Sequence, residues 1–296
     1  VMPIVYRGTK YEDCLPIGSM DIVDRFPYND LRDYYKKWYR PDLQSVIVVG
    51  DIKPAEVEAK IKRLFGNIPR AKYAAERIYY PVNDNDRMIV ATDRDSEQPI
   101  MLANLYMKHD VVPDRDKSDI SYLRDSYMES LIISMLNARL QELQQQAVPP
   151  FLSAAAHAGP FLVSRTKDAF WLSFGCRQEN VKGSFDAVIA ESERARRYGF
   201  TESELRRAQE RQMKVAERQY TERNDRRNRY FVTKALQNFL SAEPIVTEAF
   251  RLELFRLFTR TVTLEQVNSA AKKLISDKNQ VLVVYAPDKP EFNLPA

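Results

Sequence analysis

Two histidines and two cysteines, His109, His157, Cys14 and Cys176, are all that the 296 residues offer of the side chains that most often carry metal or nucleophilic chemistry. Neither histidine belongs to a His-x-x-x-His, His-x-x-Glu-His or His-Glu-x-x-His pattern. Such patterns set two ligands and a carboxylate on one face of a helix. His109 stands beside Asp110 at an expected strand end, and His157 lies within Ala155-Ala156-His157-Ala158-Gly159. Zinc needs several converging ligands, so the composition argues against a zinc site built from this chain alone. The histidines read as structural or solvent-facing groups, and the cysteines as buried free thiols, since no Cys-x-x-Cys pair or disulfide framework is present.

Other catalytic signatures are missing too. There is no Gly-x-Ser-x-Gly elbow and no phosphate loop ending in Gly-Lys-Ser/Thr, and 8 glycines leave little material for nucleotide-binding loops. The richest basic run is Glu217–Tyr230, where Arg218, Arg223, Arg226, Arg227 and Arg229 lie among Tyr220 and Tyr230. Arginines on phosphates and tyrosines on bases would make a nucleic-acid face. Glu217, Glu222 and Asp225 interrupt the run, so it reads as a solvated helix face and no nucleic-acid partner is expected. Across the chain 45 basic residues are interspersed with 41 acidic ones for a net charge of +4, without the one-sided excess of a nucleic-acid binder. No apolar run reaches the roughly 20 residues of a membrane span. With 44% hydrophobic and 29% charged residues, the chain can bury a core without staples.

The elements that would position any site follow from periodicity. Tyr28–Tyr39 carries Tyr28, Leu31, Tyr34, Tyr35 and Trp38 at helical spacing and is ended by Arg40-Pro41-Asp42. Ser45–Val49 reads as a buried strand closed by Gly50-Asp51. A helix follows, with Pro54 in its first turn and Val57, Ile61, Leu64 and Phe65 on one face. Further strands are expected at Met88–Thr92, Ile100–Met107, Phe151–Ala158 and Ala169–Cys176, and helices at Asp119–Gln145, Phe185–Tyr198 and Thr201–Leu240. Near the end, Thr263 caps a helix running to Ile275, and Val281–Tyr285 is again a buried strand. Strands that neighbour one another in sequence among many helices predict an α+β fold with a mainly antiparallel sheet packed on helices.

The first and last helix–turn–strand units align without a gap. Lys36-Lys37 falls on Lys272-Lys273, Gln44 on Gln280 and Val48 on Val284, and 272 − 36 and 280 − 44 both equal 236. A constant offset of domain size points to tandem copies of one domain. Residues 1–70 are then the C-terminal part of a first copy, 71–81 a linker between Pro69 and Pro81, 82–290 a whole second copy and 291–296 a tail. The chain opens on Val1 without an initiator methionine, as a trimmed or processed piece would.

The order of motifs in the first seventy residues resembles the pitrilysin/insulinase family of zinc metallopeptidases. Leu15-Pro16-Ile17-Gly18 is followed by Leu31–Tyr35, Trp38-Tyr39-Arg40-Pro41-Asp42-Leu43, Val46–Asp51 and Phe65-Gly66-Asn67-Ile68-Pro69. Gly199-Phe200-Thr201-Glu202-Ser203-Glu204-Leu205 is similar to a helix start of that family's repeated domain. The resemblance implies a parent endopeptidase that encloses peptides, with zinc held upstream of Val1, and a fragment that itself binds no zinc and cleaves nothing. Its partners would be a peptide substrate and the remaining domains of the same polypeptide. It also implies a carbonyl-binding arginine and tyrosine at positions where this chain has Gln144 and Phe151. Lacking a guanidinium and a hydroxyl to stabilise an oxyanion, these two are expected as chamber-lining residues without chemistry. The alternative is a non-catalytic scaffold or processing-chaperone subunit of the same family. A periplasmic or secreted location would need a signal segment upstream, and the compartment is left open.

Overall fold

In a computed structural model, which describes residues 1–14 and 18–289, fifteen helices and strands follow in the order α1 (Met2–Val5), α2 (Met20–Arg25), α3 (Tyr28–Trp38), α4 (Pro54–Phe65), β1 (Ile89–Asp95), β2 (Met101–Asp110), α5 (Ile120–Gln144), β3 (Ser153–Pro160), β4 (Lys167–Cys176), α6 (Val181–Tyr198), α7 (Glu202–Thr221), α8 (Asn228–Ser241), α9 (Glu248–Thr261), α10 (Leu264–Leu274) and β5 (Gln280–Pro287). The Leu15–Ile17 part of the first family-like motif and the 291–296 tail lie outside the described residues.

The strands form one sheet in the order β1-β5-β2-β4-β3. Only β1 and β5 pair parallel; β5–β2, β2–β4 and β4–β3 are antiparallel. This is the expected mixed fold. Strand alternation sends Met101, Ala103, Leu105 and Met107 of β2, with Phe170, Leu172 and Phe174 of β4, to one face. There they meet Leu131, Ile132, Met135, Leu136 and Leu140 of α5, Val188 of α6, Leu205 of α7, Phe258 of α9 and Val267 of α10. Each fully buried aliphatic side chain in this layer contributes about 1.5–3 kcal/mol.

Local chemistry sets the helix ends. Thr201 and Thr263 each accept from the third helical N–H, while Glu204 and Gln266 reach back to the cap backbone. The run Thr201–Leu240, expected as one helix, is broken. The chain leaves the helix after Thr221, makes a short turn at Arg223–Asp225 and restarts at Asn228. Asn224 and Asp225, residue types that favour turns over helix interiors, fall at this break. Helix α9, absent from the sequence reading, is capped by Thr247 and buries Leu252, Leu254 and Phe258.

The helices of the two matching units span the same positions at the 236-residue offset. Helix α3 spans Tyr28–Trp38 and α10 spans Leu264–Leu274, and 264 − 28 and 274 − 38 both give 236. Their strands fare differently. Val281, Val283 and Val284 are buried in β5, which lies between β1 and β2. The expected buried strand Ser45–Val49 forms no strand and joins no sheet among the described residues, and Val46 and Val48 are 52% and 47% exposed. The apolar faces of α3 and α4 are likewise uncovered, with Leu31, Tyr34, Tyr35, Leu64 and Phe65 all exposed.

Candidate functional site

The second face of the sheet is covered only in part. At one end residues 1–11 lie across it: Val5 and Tyr6 pack with Val82, Ala91, Tyr106, Phe161, Ala169, Val281 and Val283. The Tyr6 hydroxyl donates to the Phe161 carbonyl at 2.9 Å and accepts from the Val163 N–H at 3.2 Å. Burial pushes this phenol up to about 12. At the border of the covered part, Lys108 is buried, donates to the Asn83 carbonyl at 2.7 Å and lies 5.6 Å from the Phe161 ring. Its neighbour Lys167 bonds Asp84 and Asp110, both at 2.6 Å.

The other part is open. Register puts Leu102 opposite Tyr285, Asn104 opposite Ser173, and His157 opposite Trp171 on this face. Leu102 and Tyr285 are each 38% exposed. The Ser173 hydroxyl donates to the Asn104 side-chain oxygen, and the His157 ring stacks on Trp171 with centroids 5.2 Å apart. Gly175 keeps the surface flat, because a side chain there would press on Leu102, Ile100 and Ser153 at 3.2–3.3 Å. The result is a strip of small polar groups between aromatic and aliphatic rims, with Asp93 beside Tyr285 at its β1 side.

The sequence-derived candidates separate on this frame. His157 faces the open part, whereas His109 points to the helix-covered face, where its partners in charge are Glu129 and Asp168. Burial raises both carboxyls above their ordinary range, and His109 offsets part of that rise. The two histidines therefore sit on opposite sides of the sheet and cannot share a metal. Among the described residues no three His, Cys, Asp or Glu side chains converge on a metal position. Cys176 is buried with its sulfur 4.0 Å from that of Met101, and burial pushes its thiol up; Cys14, read as buried, is exposed on the surface turn after Tyr11.

Gln144 and Phe151 are brought together where α5 ends and β3 begins. The exposed Gln144 amide donates to the Leu152 carbonyl at 2.6 Å. The Phe151 ring is buried in the helix-side core. In the basic run the tyrosine rings are already engaged: Arg223 covers Tyr220 at 4.2 Å, and Arg226 and Lys234 flank Tyr230 at 4.9 and 4.8 Å. The Tyr230 hydroxyl donates to Glu248. No helix among the described residues is long and apolar enough to cross a membrane.

Sequence reading missed Arg139, a buried cation that joins three helices. Its guanidinium donates to Glu204 at 2.6 and 3.0 Å, to Glu191 at 3.4 Å and to the Gly199 carbonyl at 3.0 Å, and lies over Phe200. Burial alone would raise the Glu204 carboxyl, but the bonds from Arg139 and Thr201 hold it at about 2. An arginine inside the apolar repeat of the long helix was the available signal.

The sheet packed on helices is the fold of a peptidase-family domain. The chain belongs to the peptidase M16 family: residues 25–212 match the profile described as the peptidase M16 inactive domain. The probable zinc protease PqqL of Escherichia coli is 23% identical over 278 residues, covering 94% of this chain and 29% of that protein. The zinc protease PQQL-like of Arabidopsis thaliana is 22% identical over 272 residues, 92% of this chain and 25% of that protein. The chain thus spans less than a third of the length of these relatives. In fold it is similar to the first half of the periplasmic protease PqqL from Escherichia coli, with a TM-score of 0.83 at 21% identity over 96% of this chain and 60% of that one. It is also similar to the ferredoxin protease FusC, solved as a mutant in complex with Arabidopsis ferredoxin, with a TM-score of 0.78 at 21% identity over all of this chain and 32% of that one.

Proposed function

We propose that this chain is the end of a catalytic-type domain followed by the non-catalytic domain of a zinc endopeptidase, and that the open part of the sheet forms part of the wall of a chamber enclosing peptide. The partly open face carries the proposal: helices bury one side of the sheet, while Leu102, Asn104, His157, Trp171, Ser173 and Tyr285 are left available on the other. The relatives' description as zinc proteases supplies the reaction class. On this reading residues 1–70 and 82–290 are two units joined through 71–81, and residues 1–11, which pack on the second unit's sheet, hold them together. Zinc and the water it activates belong to another part of the longer polypeptide, because the side chains present here do not fit a metal site. Gln144 lines the rim where β3 begins, and Phe151 supports it from the core.

Two measurements test this. Titration of the 296-residue chain with Zn²⁺ should give no stoichiometric micromolar binding, and the chain should cleave no peptide. In the longer polypeptide, Ser173→Trp should raise KM for an unstructured peptide severalfold with kcat little changed, since it fills a wall and leaves the chemistry alone. Tight zinc binding or cleavage by the chain itself overturns the reading, as does an unchanged KM. A longer polypeptide without a His-x-x-Glu-His motif and without peptidase activity would put the scaffold function in its place.

A further inference from the structure

Strand β3 is an edge of the sheet, the kind of surface on which extended peptides add as an extra strand. Its hydrogen-bond phase is set by the Phe161 N–H, which donates to the Lys167 carbonyl at 3.0 Å just past the end of the β3–β4 ladder. Alternate residues, among them Ala155 and His157, therefore exchange bonds with β4, and Ala154, Ala156 and Ala158 turn their N–H and C=O groups outward. At Ala156 both outward groups are already taken. The Ala156 N–H donates to the Asn137 side-chain oxygen at 2.6 Å, and the Asn137 side-chain nitrogen donates to the Ala156 carbonyl at 3.1 Å.

Asn137 sits in the middle of α5, which packs directly on β3. The approach is close because the β3 residues facing the helix are Ala154, Ala156 and Ala158. A side-chain amide has the donor and acceptor spacing of a peptide group, so one asparagine reproduces the pair of bonds a neighbouring strand would make. On one side of it only Ala158 keeps a complete outward pair, since Pro160, next in phase, has no N–H to offer. On the other side Ala154 is the one outward residue left within β3.

We propose that Asn137 is a built-in strand mimic that closes edge β3 to strand addition, so that this domain contacts extended peptide through side chains on its open face and not through its edge backbone. Peptide contact through the open face rests on the proposed function; closure of the edge concerns only what β3 can pair with.

The test compares the chain with Asn137→Ala and Asn137→Asp. The aspartate keeps an acceptor for the Ala156 N–H but offers no donor to its carbonyl. Amide hydrogen exchange at Ala156 should speed up about tenfold in the alanine variant, the size of one lost hydrogen bond, while amides in β2 and β4 stay unchanged. The aspartate variant should keep protection at Ala156. The probe for strand addition is an acetylated and amidated Lys-Thr-Val-Thr-Val-Thr-Lys peptide, followed by NMR shifts of Ala154–Ala158. Saturable shifts with Asn137→Ala and none with the unaltered chain support the proposal. Equal binding by both, no binding by either, or unchanged exchange at Ala156 overturns it. Should Asn137→Ala fail to fold, Asn137→Leu, which removes both bonds at similar volume, takes its place: saturable edge shifts on that chain support the proposal and their absence overturns it.

Discussion

Replacing Arg139 with methionine removes a buried cation without removing much volume, and the cost follows from what it leaves behind. The side chains of Arg139, Glu191 and Glu204 are only 10%, 8% and 16% exposed. Glu191 keeps Arg194, whose guanidinium bonds it at 2.9 and 3.1 Å. Glu204 keeps only its Thr201 capping bonds and loses its counter-charge, and the Gly199 carbonyl loses a donor. Breaking one partner out of a buried pair costs about 3–5 kcal/mol. With Glu191 still paired, about 3 kcal/mol is expected, or a fall in Tm of about 6–12 °C for a domain of this size. Sign and pH window follow from Glu204. Its carboxyl is held at about 2 in the fold against an ordinary value of 4.5. A depressed carboxyl stabilises the fold above its unfolded value and loses that contribution as pH falls through the folded value. The advantage of the unaltered chain over Arg139→Met should be full above pH 4.5 and shrink on the way to pH 2. Urea unfolding followed by circular dichroism measures both. Adding Glu204→Gln, which keeps the capping box and removes the orphaned charge, should restore at least half the loss. A cost below about 1 kcal/mol, or no recovery in the double variant, refutes the reasoning.

The repeat makes a paired prediction. Val284→Thr buries a hydroxyl in a central strand and should cost about 1–3 kcal/mol, whereas Val48→Thr at the matching position stays within about 0.5 kcal/mol because the side chain is exposed; equal costs in urea unfolding would contradict the solvent-exposed placement of residues 45–49. Tyr6→Phe strands the Val163 N–H and should cost about 1–3 kcal/mol. The Tyr6 phenol is raised by burial to about 12 from 10.0, so its contribution is complete below pH 10 and lost as pH rises toward 12. The variant should lack that component of alkaline unfolding, and an unaltered alkaline profile would remove Tyr6 as its source.

Much of this protein was legible before any fold was known. Absence of paired histidine motifs depends only on residue identity, and the resemblance carried by Trp38-Tyr39-Arg40-Pro41-Asp42 and Phe65-Gly66-Asn67-Ile68-Pro69 depends only on order and spacing. Helix positions followed from apolar periodicity and from caps such as Thr263, which act within a turn. The spacing of 236 was visible in side chains and reappears in helix ends.

Tertiary structure decided what those elements face. Val48 and Val284 sit at matching positions of the same helix–turn–strand unit, yet one is exposed and the other buried, because a strand's burial is set by the strands beside it and not by its own residues. Arg139 looked like one more residue of a long helix until α6 and α7 brought Glu191 and Glu204 to it from 52 and 65 positions away. Asn137 had no visible role until α5 lay against β3. His109 and His157 differ in sequence only by their neighbours, but strand alternation and register put one under the helices and the other on the open face. Sequence alone thus determined the family of the domain and the motifs it does not contain. Which of its faces and edges remain open was decided by long-range packing, which no local pattern encodes.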